Sequence, residues 1–188
     1  MCDTIMFSGD YEIDNLIMSD ILDNVKFYSG SSRRKMLTSK GIKHPKDGGS
    51  MLYGLTWRSY LKKGLNRKQD PVSKMYMTKI MVDHPELKEV FDEFRDFHFP
   101  DFDYGSVQMN KNFLCPRHID SSNKTESILC CFGDYTGGNT CVEIDDKIIK
   151  YNGRKKPIQF DGSQYYHYVE KFEGTRYSLV FFHNRSSI

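Results

Sequence analysis

Thr140-Cys-Val-Glu-Ile-Asp-Asp-Lys-Ile-Ile-Lys-Tyr151 decides how the chain is read. Thr140–Ile144 and Lys147–Tyr151 are short β-prone runs, and Asp145-Asp146 between them has the length of a hairpin turn. Working outward toward the N-terminus, Gly133-Asp-Tyr-Thr-Gly-Gly138 predicts a turn whose glycine pair is free to take positive φ. Ser127–Phe132 and Val107–Leu114 predict strands before it. Toward the C-terminus, Ile158–Phe160, Tyr165–Val169 and Arg176–Phe182 continue the pattern. About seven short strands separated by turn signals point to a β-sandwich or jelly roll.

Before Tyr104 the apolar period is helical. Ile13, Leu16, Ile17, Ile21, Leu22 and Val25 form a stripe within residues 11–29, and Gly30 ends it. The polar stretch 30–50, with Gly41, Pro45, Gly48 and Gly49, predicts a long loop. Thr56 predicts the cap of a short helix holding Trp57, Tyr60 and Leu61. Asp70-Pro71 predicts the start of a helix carrying Val72, Met75, Tyr76 and Ile80. Asp83-His84-Pro85-Glu86 opens another, with Leu87, Val90, Phe91, Phe94 and Phe97 as its buried face and Pro100 as its stop. The expected architecture is α+β in a single domain, 1–188: residues 1–103 are mainly helical support and basic loop, and 104–185 are the β core.

With 188 residues, 14% of them aromatic, the chain can bury a substantial core. Its mean hydropathy of −0.61 is that of a soluble protein. No apolar run approaches the ~20 residues of a membrane span. The first residues lack the basic and apolar regions of a signal peptide, so the expected setting is cytoplasmic or nuclear, or viral and host-intracellular, and not secreted. Five cysteines without a Cys-x-x-Cys pair predict reduced thiols and argue against a cysteine-based zinc site. The net charge of +2 is unevenly spread: Arg33, Arg34, Lys35, Lys40, Lys43, Lys46, Arg58, Lys62, Lys63, Arg67 and Lys68 stand against Asp47. That segment is either a surface for phosphates or another polyanion, or a solvated basic face.

The chemistry concentrates at Cys115-Pro-Arg-His118-Ile-Asp120. On a strand, His118 and Asp120 point to one face. His167, from a distant strand, offers a third ligand. Two imidazoles and one carboxylate occupy one face of an octahedron, leave positions open, and suit Fe(II). Arg176 on the next strand can hold a carboxylate bidentately, and the Ser178 hydroxyl shares its face, which makes a clamp for the far carboxylate of 2-oxoglutarate. Asn110 and Asn112 share the parity of His118, and Asn123 just past Asp120 can orient the ligand loop or a substrate. Plainer readings stand beside these: a surface His next to a loop Asp, His167 packed among Tyr165, Tyr166 and Tyr168, and Arg176 in an ordinary strand ion pair. His44, His84, His98 and His183 have no partner at metal spacing.

The ordered pattern Asn110-Lys-Asn112…His118-x-Asp120-x-x-Asn123…Gly137-Gly138…Phe160-x-Gly162…His167-x-Val169…Gly174-x-Arg176-x-Ser178-Leu-Val-Phe-Phe182 resembles an Fe(II)/2-oxoglutarate-dependent dioxygenase. The resemblance covers roughly residues 104–183 and implies a double-stranded β-helix, a jelly-roll core carrying N-terminal supporting helices. It implies Fe(II) at His118, Asp120 and His167, with 2-oxoglutarate and O2 as cosubstrates; Arg176, Ser178, Asn110 and Asn112 are the cosubstrate-binding candidates. Prolyl-4-hydroxylase-like enzymes usually carry Lys where Arg176 stands. Arg176 and the Phe-x-Gly…His-x-Val spacing look more like the TET/JBP-type nucleobase dioxygenases and their small algal and viral relatives. The chain departs from the animal TET pattern in having neither a Cys-rich zinc segment nor a long insert. The implied activity is hydroxylation of a C–H bond on a 5-methylcytosine- or thymine-type base in DNA or RNA. Asn123, Arg33 and Arg34 are the candidate substrate residues. The alternatives are the same iron chemistry on a protein side chain or small molecule, and a non-catalytic β-helix binding module.

Overall fold

The computed structural model describes residues 7–60 and 72–183, with 57–60 and 72–75 described as backbone alone. Helices α1 (Tyr11–Asp23) and α2 (Ser31–Ser39) precede strands β1 (Gly49–Tyr60) and β2 (Val72–Met77), then α3 (Lys79–Asp83) and α4 (Leu87–His98). The strands that follow are β3 (Ser106–Lys111), β4 (Ser127–Phe132), β5 (Tyr135–Gly137), β6 (Thr140–Ile144), β7 (Lys147–Tyr151), β8 (Ile158–Phe160), β9 (His167–Val169), β10 (Phe172–Gly174) and β11 (Tyr177–Phe182). They form antiparallel sheets: six strands in the order β2-β1-β3-β11-β4-β8, three in the order β7-β6-β9, and the pair β5-β10.

Period-two alternation in the large sheet sorts the interior into two halves. Val107 and Met109 of β3, Ile128, Cys130 and Phe132 of β4, and Tyr177, Leu179 and Phe181 of β11 face the helices. There they meet Met18 and Leu22 of α1 and Val90, Phe91 and Phe94 of α4. Phe91 and Phe94 are fully buried, and each large apolar side chain buried this way contributes about 1.5–3 kcal/mol. The opposite face carries Leu129, Cys131, Ile158 and Phe160, which pack with Val142 and Ile144 of the small sheet. The Gln108, Asn110, Ser178 and Val180 side chains share this second face and line the space between the sheets.

Local chemistry accounts for the ends of these elements. The Asp10 carboxylate caps α1 by accepting from the Glu12 and Ile13 amides at 2.9 and 3.2 Å. The predicted hairpin forms as β6–β7, with Asp145 and Asp146 at φ 47° and 60°, the mirror-image turn that matches strand twist. Asn112 at φ 51° ends β3 three residues before the predicted strand end at Leu114 is reached.

The first half differs from its reading. Residues 31–39 form a helix where a loop is expected, because the fully buried Leu37 anchors a run of good helix formers. Thr56–Tyr60 belong to strand β1 and not to a helix; they pair residue by residue with β2, and that pairing overrides the local capping signal. Val72–Met77 are likewise strand, and the helix begins only at Lys79. The mainly helical first half therefore supplies two strands to the large sheet. Leu61, Lys62, Lys63, Arg67, Lys68, Asp70 and Pro71 lie outside the described residues, as do the side chains of Trp57, Arg58 and Tyr60. Phe97 is 49% exposed and not on the buried face of α4. In the predicted turn 133–138, Tyr135–Gly137 pair as β5 with β10, a strand the sequence pattern does not signal. Among the described residues no helix is long and apolar enough to cross a membrane.

Candidate metal centre

His118 and His167 meet through a single antiparallel bridge: each donates its backbone N–H to the other's carbonyl at 3.0 Å. The bridge sets the two imidazoles side by side, ring centroids 4.2 Å apart. Asp120 is fixed by a third segment, its N–H donating to Gly162 O at 2.8 Å. Its Oδ1 then lies 3.4 Å from His118 Nε2 and its Oδ2 3.4 Å from His167 Nε2. A ligand atom from each of the three residues lies within 4.8 Å of the others.

The proton positions follow from the partners. His118 Nδ1 lies 2.8 Å from Pro116 O, and His167 Nδ1 lies 3.0 Å from Tyr165 O. A carbonyl only accepts, so each Nδ1 is the donor, and each Nε2 faces the carboxylate. Backbone carbonyls that set the tautomer in this way are a common outer support of metal-binding histidines. Burial alone would lower the His118 pKa and raise that of Asp120. Instead, the Asp120 carboxylate and Cys115 thiol push His118 up to about 10, and the two imidazoles hold Asp120 well below the carboxylate range. Two imidazoles and one carboxylate whose ligand atoms converge in this way fit a divalent metal such as Fe(II). Close packing sharpens the site. A Cβ on Gly162 would sit 3.3 Å from Asp120 Oδ2 and 3.3 Å from His167 Cε1.

The triad opens into a cavity of about 410 Å³. Asn110, Ser178 and Thr140 line it, and Asn110 Nδ2 donates to Ser178 Oγ at 3.2 Å. Thr140 is 4% exposed, and its hydroxyl has no hydrogen-bond partner among the described residues. Asn123 also lies on the wall; its N–H donates to Asp120 O at 2.9 Å and its Nδ2 to Ser127 Oγ at 3.0 Å, so it braces the ligand loop. Arg33 lines the wall as well, contributed by α2.

Three predicted residues fall elsewhere. Arg176 shares the chain face of Ser178 but is not on the cavity wall. Its guanidinium, 2% exposed, donates from Nε to Gly138 O and from Nη2 to Cys131 Sγ, both at 3.1 Å, between the rings of Tyr135 and Phe172. Among the described residues no carboxylate pairs with it, so the ordinary strand ion pair is not what holds it. Asn112 leaves the site because its left-handed backbone breaks the strand parity. Its Oδ1 accepts from Arg176 N–H at 2.9 Å and its Nδ2 donates to Asp47 O at 3.0 Å. Arg34 turns away from the cavity and donates from Nε to Ser29 O at 3.1 Å. Gln108 and Thr140 also line the cavity and are not among the candidates drawn from sequence. Gln108 has the parity of Asn110, a signal present in the sequence; Thr140 depends on how the small sheet packs and carries no local signal.

No protein-family model matches the chain, and no curated protein matches it. Among solved structures it is similar to an oxidoreductase of the 2OG-Fe(II) oxygenase family from Burkholderia pseudomallei, at 20% identity over 57% of this chain and 60% of that one, with a TM-score of 0.43. The matched part therefore spans less than two thirds of the Burkholderia protein. The chain is also similar to NgTET1, solved in complex with 5mC DNA, at 16% identity over 89% of this chain and 69% of that one, TM-score 0.49. A Pseudomonas putida prolyl-4-hydroxylase is similar at 11% identity over 96% and 90% of the two chains, TM-score 0.49.

Proposed function

We propose that this chain is an Fe(II)- and 2-oxoglutarate-dependent oxygenase that hydroxylates a C–H bond. The observation that carries the reading is the triad: two imidazoles with Nδ1 committed to carbonyls and both Nε2 atoms 3.4 Å from one carboxylate, opening on a cavity. Packing of the small sheet against one face of the large sheet, with helices on the other, supports a double-stranded β-helix built as a single domain. Iron bound at the triad, with 2-oxoglutarate and O2, supplies the oxidising chemistry. The chain's own part is to bind, orient and exclude water. His118, Asp120 and His167 are the ligands. Ser178 and Asn110 present a linked hydroxyl and amide to the cosubstrate, and the unpartnered Thr140 hydroxyl can add a donor. The buried Arg176, which has no counter-ion among the described residues, is the seat for the far carboxylate, although it lies off the cavity wall. Leu129, Val169, Val180 and Phe160 give the cavity apolar walls that limit water.

For the substrate, we infer a 5-methylcytosine- or thymine-type base in DNA or RNA. Support comes from Arg33 on the cavity wall and from the basic face of α2 beside it. A base in a duplex would have to leave the stack to reach the triad. Asn123 stands next to the ligand loop, where it can meet the base. The buried free thiols Cys130, Cys131 and Cys141 fit a reducing compartment, cytoplasmic or nuclear.

The test has two stages. Fe(II) and 2-oxoglutarate added without oxygen should give a visible charge-transfer band. Succinate release is then screened with methylcytosine- and thymine-containing oligonucleotides against peptides and free amino acids, with product mass read out. A band with succinate only from peptides or amino acids moves the substrate. No band and no succinate leaves a binding module on the same fold.

A further inference from the structure

Among the described residues lining the cavity, Arg33 is the one lysine or arginine, and it is no part of the metal site. It reaches the wall because α2 lies over this part of the molecule, pinned by the fully buried Leu37. Its Nη2 donates to Gln108 Oε1 at 3.0 Å. Gln108 is held in turn, its Nε2 donating to Ser50 Oγ at 3.0 Å and to Met51 O at 2.8 Å. With both amide hydrogens engaged, the carbonyl end is left for Arg33, so the amide has one orientation. Among the described residues no carboxylate pairs with Arg33. The anchor is therefore neutral: it fixes the direction of the guanidinium while leaving its charge, and most of its five donors, uncompensated.

A half-buried, oriented and unpaired guanidinium at the edge of a cavity is built to take an oxyanion, and its planar fork suits phosphate. The surroundings favour phosphate on a chain over an isolated carboxylate. Arg34 and Lys35 follow on α2, Lys40 stands at its C-cap and Lys43 just beyond, all exposed, with no ion pair to any of them among the described residues. We propose that Gln108 is a positioning residue that holds Arg33 as the seat for one backbone phosphate of the nucleotide whose base enters the cavity. The assignment rests on the oxygenase reading of that cavity and names its substrate-side contact.

The test uses the full chain loaded with Fe(II) and 2-oxoglutarate without oxygen, so that nothing turns over. Binding of a fluorescein-labelled single-stranded oligonucleotide containing one 5-methylcytosine is followed by anisotropy. A matched oligonucleotide carries neutral methylphosphonates on both sides of that base. Arg33→Ala should weaken binding of the phosphodiester probe about tenfold, as expected for loss of a bidentate phosphate contact, and should reduce the salt slope by about one. The same variant should bind the methylphosphonate probe as the wild type does. Gln108→Glu keeps the side-chain size but loses the Nε2 donations to Ser50 Oγ and Met51 O and adds a carboxylate beside Arg33; it should lose affinity on the phosphodiester probe to a similar degree. Wild-type affinity and slope in both variants would overturn the proposal. So would equal losses on the two probes, or no binding of either probe by the wild type. The charge-transfer band reports separately: its absence in the wild type removes the oxygenase reading, whereas a normal band with unchanged Arg33→Ala binding removes only the phosphate seat.

Discussion

Replacing Arg176 tests whether its buried guanidinium, beside Ser178 but off the cavity wall, is an anion site. The guanidinium is aimed by two contacts of 3.1 Å, to Gly138 O and Cys131 Sγ, and is walled by Tyr135 and Phe172. A bound carboxylate would gain two charge-assisted hydrogen bonds, each worth roughly 1.5–3 kcal/mol in such a setting. Arg176→Ala removes both, a loss of about 3–6 kcal/mol, or on the order of 10²–10⁴ in Kd at ~1.4 kcal/mol per decade. Arg176→Lys keeps the charge but loses the fork and should fall between. The assay is anaerobic titration of the Fe(II)-loaded chain with 2-oxoglutarate, read at the visible band, with near-UV circular dichroism as the check on folding. Gly138→Ala disturbs the same site without touching the charge. Its Cβ would lie 3.0 Å from Arg176 Cδ and 3.1 Å from Nε, on a backbone at φ +67° that favours glycine. Stability gives an independent reading. A buried cation is costly when no counter-ion pairs with it, and none does among the described residues, so Arg176→Ala should lose little stability when 2-oxoglutarate is absent. The wild type should gain about 2.7 kcal/mol at 100 times Kd, a gain the variant lacks. Folded Arg176→Ala that binds 2-oxoglutarate within about threefold of wild type would refute the anion seat.

Substitution of Asp120 by Ala should abolish the charge-transfer band and succinate release, because one carboxylate faces both Nε2 atoms; retained turnover would sink the ligand assignment. Gly162→Ala should weaken metal binding by about tenfold with little loss of fold, since its methyl presses on Asp120 and His167 together; competition with a chelator measures it. Thr140→Val should raise the 2-oxoglutarate requirement while leaving stability unchanged or improved, because it removes a buried hydroxyl that lacks a partner in the described structure; urea unfolding and the anaerobic titration separate the two effects. Asp14 is buried. Burial would raise its carboxyl pKa, but bonds from the Ser8 N–H and hydroxyl, the Gly9 N–H and His98 Nε2 hold it below its ordinary value of 3.8. Its stabilisation is therefore complete above about pH 4 and is lost as pH falls through the lowered folded value. Asp14→Asn should lower stability at pH 7 and flatten the acid limb of a urea-midpoint profile; a wild-type acid limb would refute the assignment.

The later strands follow from period two, whereas the triad is legible in residue types and spacing and is assembled by an isolated bridge and a loop hydrogen bond in place of the expected strand. The i, i+2 spacing groups His118 with Asp120 and Arg176 with Ser178, although His118 makes only an isolated bridge and Asp120 lies outside any strand; only the β3–β11 pairing sets Ser178 opposite Asn110. That reasoning holds only while the backbone stays extended. It fails at Asn112, where one residue at φ 51° turns an expected cosubstrate contact into a brace between Arg176 and Asp47. It fails again at Thr56–Tyr60, where a helix-capping signal is outweighed by six paired residues of β2 that the local sequence cannot announce. The basic segment shows the deeper limit. Arg33 and Arg34 are adjacent and chemically equivalent, and nothing in the sequence separates them. On a helix, neighbouring side chains point about 100° apart. One of them therefore reaches the cavity and Gln108, while the other turns back to the Ser29 carbonyl. Charge composition can name a surface, but helical phase decides which cation serves the site. Exchanging the two by Arg33→Ala and Arg34→Ala should accordingly give unequal losses of oligonucleotide affinity, with the first the larger.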